Sequence, residues 1–126
     1  MLALLAYLIL YRPGMGLLLH AQAGIGLLFI FVLHHLMNLR WFRGLGRGRY
    51  TARRTVATLV NVLLLADVCT LIWSAVMLAG YVFPFAPFPP PTQLVHEAHR
   101  VSAWGCLVLG MVHGALHIRP LKKGKK

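Results

Sequence analysis

The chain has 126 residues, of which 59% are hydrophobic and 12% are charged, and its mean hydropathy is +0.71. Water-soluble domains average about 25% charged residues, so this composition excludes an ordinary soluble domain and favours a single membrane domain over residues 1–126. Thirteen Lys and Arg against two acidic residues give a net charge of +11. The basic residues cluster between apolar runs, which is typical of the positive-inside bias and argues against a nucleic-acid partner.

Residues 1–11 are apolar, but they are about half as long as a membrane-spanning helix. An Arg-Pro-Gly sequence at residues 12–14 ends the run. The basic n-region and the cleavage pattern of a signal peptide are missing. We therefore expect a short leading helix over residues 2–11 that packs on the membrane or partly enters it. The alternative is the remnant of a first span whose start lies further upstream.

Three longer apolar runs predict membrane-spanning helices at residues 15–39, 55–83 and 94–118. The expected fold is an all-α integral membrane helical bundle with three full spans plus the short leading helix. A basic loop, residues 40–54, and a proline-rich connector, residues 84–93, join the spans. The basic loop is also rich in glycine and is expected to be flexible.

The distribution of charge predicts the topology. Six basic residues lie in the loop 40–54 and five in the tail 119–126, whereas residues 84–93 carry no charge. Cytoplasmic segments have an excess of Lys and Arg, so the loop 40–54 and the C-terminus are predicted to lie in the cytoplasm. The connector 84–93 is then outside.

The histidines carry the strongest functional signal. His20 and His34 lie 14 residues apart on the first predicted span, and His99 and His113 lie 14 residues apart on the third. Fourteen residues of α-helix return to within about 40° of the same direction and advance roughly 21 Å. Each helix therefore presents one imidazole near each side of a hydrocarbon core about 30 Å thick, where polar side chains are functional candidates.

The first and third spans run in the same direction in the predicted topology. His20 is then expected to face His99 near the outer side, and His34 to face His113 near the inner side. Each facing pair supplies two axial nitrogens to one iron, so these four histidines are the predicted metal ligands of two b-type haems. The chain contains no CxxCH sequence, so no covalent c-type haem is expected.

Two neighbours of these ligands have more than one interpretation. His35 is the alternative to His34 as a ligand, but the matched spacing favours His34. Gly24 lies four residues after His20 and is a candidate cofactor contact, since a glycine there leaves room for a flat macrocycle. The alternative is that Gly24 allows close packing of helices.

Other candidates lie near the ends of the spans. His117 follows His113 by one turn, and Asn38 has the same relation to His34. These two residues either bond haem propionates, contact a quinone or mark the membrane boundary. Arg100 lies at a depth that suits a propionate, and the alternative is that its side chain snorkels to lipid headgroups.

Asp67 lies near the centre of the second span, where a carboxyl must be neutral, paired or facing a wet cavity. A ligating imidazole usually donates its second N–H to a carboxylate, a carbonyl or water. We therefore predict that Asp67 faces the bundle interior and is linked to a haem or to a proton. The alternative is a protonated Asp67 bonded to a backbone carbonyl or to Thr70.

Other chemistry has less support. Zinc and copper sites gather three or four ligands closely, whereas these histidines are spread across the membrane. Cys69 and Cys106 lie in apolar segments and are expected to be small buried hydrophobes. Two further classes stay open: a cofactor-free anchor or structural subunit, in which the histidines hydrogen-bond between helices, and a proton or metal-ion transporter.

The sequence resembles the four-helix, membrane-embedded cytochrome b-like proteins of bacteria and archaea, a domain of unknown function found beside flavinylated and other electron-transfer proteins. The matching residues are His20, Gly24, His34, Asn38 and Trp41 on the first span, Asn61, Ser74 and Gly80 on the second, and His99, His113 and His117 on the third. The resemblance covers residues 15–118. The first span of that family is short or missing here.

This resemblance implies a di-haem b-type cytochrome in a bacterial or archaeal cytoplasmic membrane. Such a protein would carry electrons across the bilayer between a quinol pool and a periplasmic or flavin-bearing partner protein. It would be an electron-transfer subunit rather than a stand-alone enzyme. The haem does the redox chemistry, and the protein supplies axial imidazoles and a low-dielectric pocket.

Overall fold

The computed structural model describes residues 1–10, 16–81 and 90–117. These residues form five α-helices and one 3₁₀ turn: α1 (Leu2–Ile9), α2 (Leu17–Met37), α3 (Leu39–Gly44), α4 (Ala52–Leu78), the 3₁₀ turn (Ala79–Tyr81) and α5 (Gln93–His117). There is no strand within these ranges, and the prediction of an all-α fold is confirmed.

The starts of α2 and α4 differ slightly from the predicted spans. α2 begins after Gly16, whose φ of +83° is a backbone conformation that glycine adopts at little cost. α4 begins three residues earlier than predicted, at Ala52, because Thr51 caps it. The Oγ1 atom of Thr51 accepts a hydrogen bond from the backbone N–H of Arg54 at 3.3 Å.

Two helices of the described chain, α2 and α4, are long and apolar enough to cross a membrane. They have 21 and 27 residues, and their most apolar segments have mean hydropathies of 1.9 and 2.1. The buried share of the apolar segment is 0% in α2 and 6% in α4. The core helix of a soluble protein would instead be mostly buried. Two helices are thus candidate spans by length and composition, and the prediction of three full spans stays a prediction. α5 has 25 residues and contains Glu97 and Arg100.

The surface of the helices is apolar. Phe29 is 70% exposed, Met37 is 77% exposed and Leu59 is 57% exposed. Large contiguous apolar surfaces are rare on soluble monomers and belong in lipid or in an interface. Cys69 is part of this surface, so the prediction that both cysteines are buried is wrong for Cys69 and holds for Cys106 alone.

The helices pack closely along one interface and loosely along another. α4 packs against α5, and α1 packs against α5 and α2, whereas α2 makes little backbone contact with α4 or α5. Two glycines allow the close approaches. A Cβ atom at Gly105 would lie 2.7 Å from Asp67 Oδ2, and one at Gly110 would lie 3.0 Å from Leu2 Cδ2.

The buried core lies midway between the two histidine levels. It contains Leu5, Val68 and Cys106, and Leu27 and Phe31 of α2 pack against it. Leu27 and Cys106 are each seven residues from both predicted ligands of their own helix, which is about 10 Å. α1 therefore contributes to an apolar layer that separates the two levels.

Three predictions fall largely outside the described residues. They concern the end of the leading helix at Tyr11, most of the proline-rich connector and the basic tail over residues 119–126.

Candidate functional site

A cavity of about 930 Å³ lies between α2 and the packed α4 and α5 helices, with α1 at its side. Ligand pockets have volumes of about 300–1,000 Å³, so this cavity has room for an extended ligand. It is lined mainly by aliphatic side chains. All four predicted ligands line it as well: His20, His34, His99 and His113.

The structure brings the four histidines together as two pairs that face each other across this cavity. The ring centres of His20 and His99 are 6.2 Å apart, and those of His34 and His113 are also 6.2 Å apart. We name them the outer pair and the inner pair, after the predicted topology. The two ring planes are inclined by 62° in the outer pair and by 77° in the inner pair.

The separation within each pair suits one metal ion held between the two rings. Metal–imidazole bonds of about 2.0–2.1 Å, as in zinc sites, put the ring centres of two opposed imidazoles roughly 6–6.5 Å apart. Each pair would supply two imidazole nitrogens, which are ligands that a b-type haem iron accepts, so the residues present fit the predicted cofactor.

α4 supplies a partner for His99 of the outer pair. Ser74 is fully buried, and its Oγ atom lies 3.2 Å from His99 Nδ1. The Ser74 hydroxyl donates its own proton to the carbonyl of Leu71 at 2.9 Å, so it can accept a bond from a His99 Nδ1–H. The Nε2 atom of His99 then keeps its lone pair for a metal.

α4 also supplies a partner for His113 of the inner pair. The amide of Asn61 has two orientations. In the first, Oδ1 accepts a hydrogen bond from His113 Nδ1 at 2.7 Å. In the second, Nδ2 donates to His113 Nδ1 at 2.7 Å and to the carbonyl of Ala57 at 3.1 Å, while Oδ1 accepts from Trp41 Nε1 at 3.3 Å.

The two orientations have opposite consequences for metal binding. The first requires a proton on Nδ1 of His113 and leaves a lone pair on Nε2. The second requires a lone pair on Nδ1, which puts the proton on Nε2 and blocks ligation there. Without a metal, the second orientation satisfies more polar groups around Asn61, whereas a metal on Nε2 selects the first.

His35 has other partners than His113. Its Nδ1 donates to the carbonyl of Phe31 at 2.9 Å, and its ring centre lies 4.1 Å from that of Phe31. Of the two adjacent histidines, His34 is therefore the one that the structure pairs with His113.

Asn38 and His117 both bond the backbone one turn before them. Asn38 Nδ2 donates to the carbonyl of His34 at 2.7 Å, and His117 Nδ1 donates to the carbonyl of His113 at 2.9 Å. The ring centres of His117 and His113 are only 4.4 Å apart. These contacts fix the helix ends next to the inner pair, while the predicted contacts with a propionate or a quinone stay predictions.

Gly24 and Gly114 line the cavity on opposite helices, and a Cβ atom built at either would meet nothing within 4 Å. Gly24 therefore does not serve close helix packing, which was one of its two interpretations. Its role in leaving room for a flat cofactor stays a prediction.

Two charged residues have partners that the sequence did not predict. Arg100 lines the outer part of the cavity, and its Nη2 atom forms an ion pair with Glu97 Oε2 at 2.5 Å.

Asp67 lies against Gly105 and beside the Cys106 thiol, and it is not part of the cavity lining. The Thr70 hydroxyl donates to its own helix, at Ala66 O.

The loop that was predicted to be flexible is folded around Arg54. The Arg54 guanidinium donates to the carbonyls of Gly44 at 2.8 Å, Arg47 at 2.6 Å and Arg49 at 3.1 Å. It also lies 4.2 Å from the ring centre of Tyr50. The sequence feature that could have indicated this role of Arg54 is the lack of any acidic residue in the loop. Without a carboxylate nearby, the backbone carbonyls are the acceptors that an arginine of the loop can reach.

A smaller cavity of about 270 Å³ lies beside the inner pair, between this folded loop and the adjoining ends of α4 and α5. Its lining residues include four with polar side-chain groups, Trp41, Thr58, Asn61 and His117, and the apolar Leu45. His117 belongs both to this cavity and to the ring contact with His113. The smaller cavity is therefore coupled to the inner pair by direct contact.

Within residues 1–10, 16–81 and 90–117, no three His, Cys, Asp or Glu side chains lie close enough together to hold a metal ion. Comparisons of the chain with protein-family models, curated proteins and solved structures find no match. The resemblance to membrane cytochrome b-like proteins thus stays an expectation, and the geometry of the two pairs is the basis for a function.

Proposed function

We propose that this chain is a membrane di-haem b-type cytochrome that carries electrons across the bilayer. Its partners are a quinol pool and a periplasmic or flavin-bearing redox protein. The observation that carries the proposal is the presence of two facing imidazole pairs, both with ring centres 6.2 Å apart, in one largely apolar cavity. Haem bound between such pairs supplies one-electron redox chemistry.

The residues of the chain have distinct tasks in this proposal. His20 and His99 hold the outer haem, and His34 and His113 hold the inner haem. Gly24 leaves room beside its helix, and the aliphatic lining keeps water out and the local dielectric low. Ser74 orients the imidazole of His99, and Asn61 orients the imidazole of His113.

The proposal treats α5 as the third span. Glu97 and Arg100 lie in its first two turns and pair with each other, whereas residues 101–117 contain no Asp, Glu, Lys or Arg. α2 and α5 then run in the same direction, with the basic loop 40–54 and the C-terminus on the cytoplasmic side. The membrane is the cytoplasmic membrane of a bacterium or an archaeon.

The smaller cavity is where we place the ring of the quinol. Its volume of about 270 Å³ is near the lower limit of ligand pockets, which suits a single ring system. Thr58 and Trp41 offer hydrogen bonds to the ring oxygens. The contact between His117 and His113 connects this position to the inner haem.

A cofactor-free structural subunit is the second candidate, and one observation favours it. The second orientation of the Asn61 amide satisfies Trp41, Ala57 and His113 together without any metal. A proton or metal-ion transporter has less support, because Asp67 does not line the cavity that contains the histidines.

The test is the visible spectrum of the full chain, purified in mild detergent from cells that make b-type haem. We expect a Soret band and, after reduction, sharp α-bands. The matched control replaces all four predicted ligands by alanine and should lose these bands while keeping its helical circular dichroism. A colourless parent protein with full helical content would overturn the proposal in favour of the structural subunit.

A further inference from the structure

α4 provides no predicted metal ligand, yet it contacts one imidazole of each pair. Asn61 reaches Nδ1 of His113, and Ser74 reaches Nδ1 of His99. Both contacts join residues that are far apart in the sequence, by 52 and 25 positions. They are therefore products of the packing of α4 on α5.

The two contacts differ in length. In the first orientation of its amide, the Asn61 oxygen lies 2.7 Å from Nδ1, which is short for a bond between nitrogen and oxygen. The Ser74 hydroxyl lies 3.2 Å from Nδ1, at the long end of the normal range. An amide oxygen also carries more negative charge than a hydroxyl oxygen, so Asn61 is the stronger acceptor.

We infer that Asn61 and Ser74 are positioning residues that tune the two haems unequally, with Asn61 lowering the midpoint potential of the inner haem more than Ser74 lowers that of the outer haem. This inference rests on the proposed function. It requires the first orientation of the Asn61 amide, in which Oδ1 faces His113.

The physical reason is the effect of a hydrogen bond on the basicity of a ligand. An imidazole that donates its second N–H to an acceptor becomes a stronger electron donor at its other nitrogen. A stronger donor stabilises the oxidised metal, and the midpoint potential falls. The shorter bond to the better acceptor has the larger effect.

The experiment is a redox titration of the full-length protein, in which the α-bands of the two haems are followed separately. Asn61→Leu removes the acceptor at similar volume and should raise the inner potential only. Asn61→Asp offers a stronger acceptor in the same space and should lower it. Ser74→Ala should raise the outer potential by a smaller amount.

Thr70 of α4 provides a matched control. Thr70→Val changes a hydroxyl one turn from Ser74 that bonds to its own helix, at Ala66 O. Thr70 has no hydrogen bond to a predicted ligand and lines neither cavity, so this variant should keep the parent potentials.

The outcomes separate this inference from the proposed function. A parent without haem overturns both. Two haems whose potentials do not move in Asn61→Leu and Asn61→Asp, or a larger shift in Ser74→Ala, overturn the inference alone. If Asn61→Leu loses only the inner haem, the positioning role is supported, and the downward shift in Asn61→Asp decides the effect on the potential.

Discussion

His34 and His35 are adjacent in the sequence but have different partners across the bundle. His34 faces His113, whereas His35 donates to the Phe31 carbonyl and packs on its ring. We predict that His34→Ala and His113→Ala each remove the inner haem and leave the outer haem in place. His35→Ala is the matched control and should retain both haems. Haem content and the reduced α-band measure the effect; loss of the inner haem in His35→Ala, with retention in His34→Ala, would reverse the assignment.

Two glycines are expected to respond oppositely to the same substitution. Gly105→Ala puts a Cβ atom 2.7 Å from Asp67 Oδ2, so we predict a loss of about 1–3 kcal/mol in the free energy of unfolding. Gly24→Ala meets nothing within 4 Å and should leave the stability unchanged or slightly higher, since alanine favours helix. Denaturation in detergent, followed by circular dichroism, measures both.

The double variant Gly105→Ala, Asp67→Ala tests the cause of that loss. Removing the carboxyl makes space for the new methyl group, so part of the lost stability should return. Equal stabilities of the single and double variants would mean that the contact with Asp67 is not the reason.

Much of the site follows from helical periodicity, because a spacing of 14 residues keeps both imidazoles of one helix on one face. The pairing of α2 with α5 also follows from the repeated spacing. The contacts of α4 do not. Asn61 and His113 are separated by 52 residues, and no local pattern encodes which acceptor meets which ring. The packing glycine Gly105 is likewise explained only by Asp67 on another helix.

The segment between α2 and α4 has more structure than its composition predicts. Three glycines and six arginines predicted a flexible loop, but the loop contains α3 and closes around Arg54. A single guanidinium satisfies three carbonyls there, and composition alone does not show that they converge.

We predict that Arg54→Gln opens this loop. The variant loses charge-assisted hydrogen bonds that are worth about 1.5–3 kcal/mol each at most, and less at this partly exposed site. Trypsin should then cleave at Arg47 and Arg49 faster than in the parent. Arg43→Gln removes an arginine of the same loop that has no such bonds in the described chain, and it should leave the rate at these two positions unchanged. Equal rates in Arg54→Gln and Arg43→Gln would contradict the role of Arg54.

At the scale of the whole molecule, the charges predict the orientation in the membrane. Two cysteine reporters test it in a Cys69→Ser background, in which the remaining native cysteine, Cys106, is buried: Thr92→Cys near the end of the connector and Gly46→Cys in the basic loop. A thiol reagent that does not cross membranes should label Thr92→Cys in intact cells, and Gly46→Cys only after permeabilisation. The reverse pattern would invert the proposed orientation and exchange the names of the two pairs.

The haem content of the purified chain tests the central claim most directly. In the proposed function the two facing pairs would hold two b haems per chain, so pyridine haemochrome analysis against protein mass should give about two. Alanine in place of either histidine of one pair should reduce the value to about one. A parent value of one would mean that only one pair binds haem, and a value of zero in a folded protein would contradict the account as a whole.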